Sequence, residues 1–212
     1  MEYRGLFKYV YLTMEFITRI AYINLLWIGF SLLGLVVFGL GPASAAMFTV
    51  TRQWAIGNYD IPVFKTFFNA YKQNFFRATF LLVPLFIASN ILYIDFMYLS
   101  MIDGMFYNFM LFIFINALII FAIVSLYLFP VFVQYKYSIW QYYKYSAIIG
   151  FSMPLHTLGM IIAIFLMWRL VLIIPGILPI LPIGLLAFVM MKLSHAAFVR
   201  IEKKMAASQS IA

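Results

Sequence analysis

The chain of 212 residues has no cysteine, only six acidic side chains and two histidines, and charged residues make up 9% of it. Each shortage removes a class of function. Without cysteine there are no disulfides, thiolate nucleophiles, thiolate metal sites or iron–sulfur clusters. The sequence has no HExxH, no Gly-rich phosphate loop, no GxSxG and no aspartate-rich run, so the usual signatures of metalloproteases, nucleotide enzymes and serine hydrolases are missing. Ordinary soluble domains carry about 25% charged residues. Far less is available here to cover a 24.6 kDa particle in water, and a soluble globular fold is excluded. No enzymatic activity and no cofactor are expected.

What the chain has in quantity is apolar surface: 67% of residues are hydrophobic and 20% aromatic. A spanning helix needs about 20 apolar residues, so this length allows about six passes joined by short loops. The expected fold is all-α, a polytopic membrane helical bundle of about six membrane segments with interfacial amphipathic helices, forming a single membrane domain over 1–212. Five apolar stretches read directly as passes: Ile20 to Leu40, Ala78 to Leu99, Phe106 to Val133, Leu155 to Ile174 and Ile177 to Met191. Pro42 to Ile56 is apolar but short, and either crosses or turns back. Ala43-Ser44-Ala45 resembles a cleavage site, yet the run before it is longer than a signal-peptide core. An uncleaved first membrane helix is the simpler account.

Charge decides the parity, because cytoplasmic loops collect Lys and Arg. With six crossings and both termini in the cytoplasm, every one of the 14 cations except Arg169 falls on the inner side. The net charge of +8 then faces anionic lipid headgroups rather than nucleic acid. Membrane lipid is an expected partner; nucleic acid is not, and the oligomeric state is unread.

Between the passes lie aromatic, basic segments. Phe64, Phe67, Phe68, Tyr71 and Phe75 fall at i, i+3, i+4, i+7 and i+11, with Lys65, Asn69, Lys72 and Gln73 on the other face. This pattern predicts an interfacial amphipathic helix. Phe64, Lys65, Phe67, Phe68, Tyr71 and Lys72 are therefore candidate contacts for lipid or a protein partner. Tyr135 to Ala147 is a second such segment, with Trp140, Tyr143 and Ala147 on one face, and the first nineteen residues form a third. The recurring aromatic-Lys pairs Phe7-Lys8, Phe64-Lys65 and Tyr135-Lys136 suggest three pseudo-repeats, 1–57, 58–134 and 135–212. Aromatic and basic residues in any cytoplasmic loop would give the same signal.

Few polar groups remain for a site inside the membrane. Asn24, Asn90 and Asn116 can bond across helices, and Gly29, Gly34 and Gly184 permit close backbone approach. Arg169 either snorkels to the outer surface or pairs with Asp95 or Asp103. Lys192 has two readings: a last helix starting near Ile177 leaves it at the inner headgroups, whereas one starting at Pro182 places it about 15 Å deep. In the latter case, the run Pro175 to Pro182 would mark a cavity. Asn24, Arg169 and Lys192 are the candidate intramembrane polar residues, and His156 and His195 read as satisfied interfacial histidines.

Asn24-Leu25-Leu26-Trp27 at the first pass, Gly41-Pro42-Ala43 after it, and Phe64-Lys65-Thr66-Phe67-Phe68 leading to Asn74 resemble, in that order, the YesL-type bacterial membrane proteins, a family of unknown molecular function. The resemblance is read over nearly the whole length. It implies an all-helical protein of the bacterial cytoplasmic (inner) membrane, often encoded near carbohydrate ABC transporters and two-component sensors. An accessory or regulatory role beside an ABC permease or sensor kinase follows as the expectation. The runner-up from the residues themselves is a small-solute transporter or lipid-binding membrane protein.

Overall fold

A computed structural model describes residues 3–99, 101 and 104–209. Its helices are α1 (Tyr3–Leu33), α2 (Leu40–Ala55), α3 (Val63–Leu99), α4 (Met105–Gln134), α5 (Ile139–Ser152), α6 (Pro154–Ile173) and α7 (Pro182–Gln209), with a 3-10 turn at Pro175–Ile177. Among the described residues there is no strand. Among the described residues, five helices are long and apolar enough to cross a membrane: α1 from Val10, α3, α4 from Phe106, α6, and α7 to Lys203. The chain is a multi-pass membrane protein.

The sixth expected pass is α2. At 16 residues it is about 24 Å long, shorter than a hydrocarbon core of about 30 Å. It nevertheless runs back through the bundle, and ten of its residues, including Ala43, Ala45, Ala46, Val50 and Trp54, are buried. Neighbours α1, α3, α4 and α7 pack around it, so α2 is a core helix whose small side chains let other backbones come close. A Cβ on Gly41 would sit 2.5 Å from the Ala78 carbonyl oxygen of α3. In lipid, such interlocking supplies van der Waals contact where the hydrophobic effect between helices is absent.

The first pass ends earlier than its apolar run. α1 stops at Leu33 rather than Leu40, because Gly34 and Gly39 approach so closely that a Cβ on Gly34 would overlap the Gly39 backbone. Between them Leu35 and Val36 adopt left-handed φ of 56° and 61°, unusual for residues with a Cβ and more so for a β-branched one. The Val36 N–H donates to Ser31 O at 2.9 Å, closing the turn with a helix-capping bond.

α3 joins two expected segments into one. Nothing between Phe75 and Ala78 breaks a helix, so the amphipathic stretch continues into the membrane pass as a single helix of 37 residues, about 55 Å long. The Thr79 hydroxyl donates to Phe38 O at 3.0 Å, which sets that residue beside the α1–α2 turn. From there α3 continues to Leu99 with α4 alongside, making a projecting apolar hairpin. The outer part of α3 is barely covered: only 6% of its most apolar window is buried, against 50% for α7.

Within residues 135–212 the amphipathic stretch is a separate helix. Ser138 caps α5 through a capping box, its N–H bonded to the Gln141 side chain at 3.0 Å, and Pro154 starts α6 afresh. The buried face of α5 is Tyr142, Ser146 and Ile149, not the Trp140, Tyr143 and Ala147 face expected from periodicity. At the far end, the last helix begins at Pro182 rather than Ile177, since Pro175, Pro179 and Pro182 each lack the N–H that a continuous helix needs.

Candidate functional site

The polar centre of the bundle is Asn24. This side chain is wholly buried and links α1 to the chain reversal before α7. Its Nδ2 donates to Pro179 O at 2.7 Å and its Oδ1 accepts the Gly184 N–H at 2.9 Å. Gly184 is the third residue of α7, where a backbone N–H has no partner inside its own helix. Asn24 thus caps α7 from another helix, some 160 residues away in sequence. Glycine at 184 makes the approach possible: a Cβ there would lie 2.9 Å from Ile20 O and 3.1 Å from Ile23 Cγ2. With Phe16 edge-on to Phe188 at 5.1 Å, α1 and α7 run antiparallel.

The same contacts account for the Pro-rich run. Pro175, Gly176, Leu178, Pro179 and Ile180 are exposed, and the 3-10 turn contains no buried residue. The run is an exposed chain reversal pinned at one carbonyl by Asn24. Lys192 lies ten residues into α7 and is exposed, with Nζ 5.8 Å from the centroid of the Phe188 ring. Arg169 is exposed on α6 and forms no ion pair with Asp95; Asp103 lies outside the described residues. Asn24, Arg169 and Lys192 therefore occupy three separate environments. His156 and His195 each keep a buried Nδ1 without a hydrogen-bond partner among the described residues.

The aromatic face of α3 divides in two. Phe67 is fully buried, and Phe30 of α1 receives the rings of Phe64, Phe67, Phe68 and Tyr71 at 6.4, 5.2, 6.1 and 4.9 Å. The Tyr71 hydroxyl donates to Phe30 O at 3.1 Å. Phe64 and Phe68 lie parallel, 6.1 Å apart, and stay 52% and 44% exposed. Beside them Lys65, Asn69, Lys72 and Gln73 are exposed. The periodicity identified the face; it could not reveal Phe30, a single aromatic within an apolar run.

Two further features lie where α5 meets α3 and α4. The loop between α4 and α5 is tied by tyrosines: Tyr142 Oη donates to Tyr135 O at 3.1 Å and accepts the Tyr137 N–H at 3.0 Å. Arg77 donates to Tyr137 O and rests 5.8 Å over the Tyr142 ring. Tyr135 Oη donates to Glu202 Oε1 at 2.9 Å. Burial first, then the hydrogen bond and charge of Glu202, push the Tyr135 phenol well above its ordinary range. These contacts fasten α3, α5 and α7 to one loop.

The second feature is a cleft of about 480 Å³ between α3, α4 and α5. Ala88 and Ala117 hollow its wall, Trp140 and Tyr143 close one end, and Asp95 stands at the other. Pro84, inside α3, lacks the N–H that would serve the carbonyl one turn earlier. About one turn before this proline, the Tyr143 hydroxyl donates to Leu81 O, docking α5 on α3.

Residues 20–96 match the family described as "Protein of unknown function, DUF624". Among proteins of Bacillus subtilis (strain 168), the uncharacterized protein YteU is 47% identical over 95 residues, 45% of this chain and 43% of its own length. The uncharacterized protein YesL is 48% identical over 87 residues, covering 41% and 42%, and YesV is 42% identical over 69 residues, covering 32% and 33%. The chain thus spans less than half the length of these curated relatives, a narrower resemblance than the near-complete one expected from the motifs. No solved structure matches. The matched stretch carries Asn24, the α1–α2 turn and the Phe30 cluster, while Pro179, Gly184, Arg169 and Lys192 lie beyond it. Over residues 20–96 the chain is similar to the YesL-type proteins, whose function is unknown.

Proposed function

We propose that the protein is a non-catalytic accessory or regulatory component of the bacterial cytoplasmic membrane, with both termini in the cytoplasm, that works by binding a larger membrane protein such as an ABC permease or a sensor kinase. The observation that supports this reading is the Phe64–Phe68 pair. Two stacked rings stand exposed on the first third of α3, among polar side chains that do not suit hydrocarbon. An apolar patch in a polar frame is what a docking surface presents, and Lys65 and Lys72 add charge for an acidic partner loop. Phe67 takes no part in it, because its ring belongs to the core.

The experiment is a mild-detergent pull-down of the tagged full chain from its native bacterium, comparing wild type with the Phe64→Ser/Phe68→Ser variant. Enrichment of one permease or kinase by the wild type, reduced at least about tenfold by a change worth ~1.4 kcal/mol, supports docking at this pair. Equal recovery by both proteins, at equal membrane abundance, refutes it.

A further inference from the structure

We propose that the cleft between α3, α4 and α5 holds one acyl chain of an anionic phospholipid, with its phosphate at the α5 end beside Lys144. This site is separate from the Phe64–Phe68 patch, and neither reading depends on the other. Shape selects the occupant first. The cleft, about 480 Å³ and lined by apolar side chains of three helices, is an apolar hollow that runs along α3. A single hydrocarbon chain fits. From Pro84 to Asp95 the cleft follows α3 for about 16 Å, half of a hydrocarbon core of about 30 Å and therefore the depth of one leaflet. Its wall is almost wholly apolar, and the two alanines across from each other provide the hollow.

Charge then fixes which way the lipid lies. At one end Asp95 is exposed and repels a phosphate. At the other end Trp140 is 76% exposed, an indole placed as in the interfacial aromatic belts of membrane proteins. Lys144 follows it by four residues on α5, so both stand on the same face of that helix. Lys136 on the loop before α5 is exposed, and so is Arg77 of α3, which is bonded to Tyr137 O on that loop. The bond from Tyr143 to Leu81 O holds α5 in place, so the pocket exists before the lipid arrives.

Native mass spectrometry of the full chain in detergent, titrated with phosphatidylglycerol or with phosphatidylcholine of identical chains, tests the site. One phosphatidylglycerol should bind about fivefold more tightly than phosphatidylcholine, the effect of roughly one lysine at an anionic headgroup. Lys144→Gln should abolish that preference, and Ala88→Phe should remove the tightly held lipid altogether. Equal affinity for the two lipids, or binding indifferent to Ala88→Phe, overturns the proposal. If Ala88→Phe fails to fold, Trp140 decides. Brominated phosphatidylglycerol in vesicles should quench its fluorescence, taken as wild type minus Trp140→Phe, more than the same fraction of brominated phosphatidylcholine. Equal quenching again overturns it. The pull-down with Phe64→Ser/Phe68→Ser reads an independent surface, so failure of one proposal leaves the other standing.

Discussion

Replacing Asn24 with Leu is the sharpest probe of how this bundle is held together. Leucine keeps the four side-chain heavy atoms and the Cγ branch of asparagine with bulkier methyl ends, so the change removes hydrogen bonds without opening a cavity. It strands the buried Gly184 N–H and the Pro179 carbonyl, which lies on an exposed residue; their bonds to Asn24 are 2.9 and 2.7 Å. Each orphaned group costs about 1–3 kcal/mol. Hydrogen bonds between membrane helices average only about 0.6 kcal/mol when measured, which pulls the sum toward its lower end. The expected loss is about 1–3 kcal/mol, most of it from the buried Gly184 N–H. Unfolding by dodecyl sulfate in mixed micelles, followed by circular dichroism, measures it.

Asn24→Asp adds a second arm. A carboxylate still accepts the Gly184 N–H but cannot donate to Pro179 O, whereas the protonated acid does both. Burial and the facing carbonyl favour the neutral acid, so the folded state holds its proton more tightly than the unfolded state does. Stability of this variant should therefore rise as pH falls. A loss below ~0.6 kcal/mol for Asn24→Leu, with no acid rescue of Asn24→Asp, would refute the clamp.

Other expectations concern strain, titration and the exposed lysine. Leu35→Gly with Val36→Gly should stabilise the protein by about 1–2 kcal/mol: two left-handed residues each cost about 1–2 kcal/mol, partly offset by glycine's greater chain entropy of ~0.5–1 kcal/mol per site. The same micelle assay shows it, and a loss of stability would contradict the turn geometry. The raised Tyr135 phenol predicts stability that is flat below the ordinary value of 10.0 and falls as pH climbs above it. Tyr135→Phe should flatten that alkaline limb, as read from melting temperatures across pH 9 to about 12. Lys192→Met should change stability by no more than about 1 kcal/mol, because only a ring contact is lost. A drop of several kcal/mol would instead indicate a buried partner for Lys192.

Much of this architecture was legible from composition and period alone. A 20-residue apolar span has no soluble alternative, so the helical membrane class followed from the shortage of charge, and the aromatic period of 3.6 marked the inner face of α3 through Phe67 and Tyr71. Residue types also pointed to Asn24 and Gly184 as helix-contact positions. Their partnership was not legible, because hydrogen bonds across some 160 residues leave no local pattern. Periodicity placed Tyr143 on an amphipathic face for the same local reason, and its bond to Leu81 O, 62 residues away, was not legible.

Boundaries were where local reading failed. Hydropathy continues smoothly from Leu33 to Leu40 and from Ile177 to Pro182, and it has no term for a glycine pair in contact or for prolines that interrupt the backbone ladder. The sequence by itself determined that the chain must fold in lipid, that it is all-helical and which residue types could be spared for polar contacts. Those properties are sums over local transfer energies and helix propensities. Only the tertiary structure decided that α2 lies in the core, that Phe67 packs inside while Phe64 and Phe68 remain outside, and that Asn24 caps α7. Each of these depends on which helix lies against which, and that is set by the shapes of surfaces distant in sequence rather than by the apolar character they share.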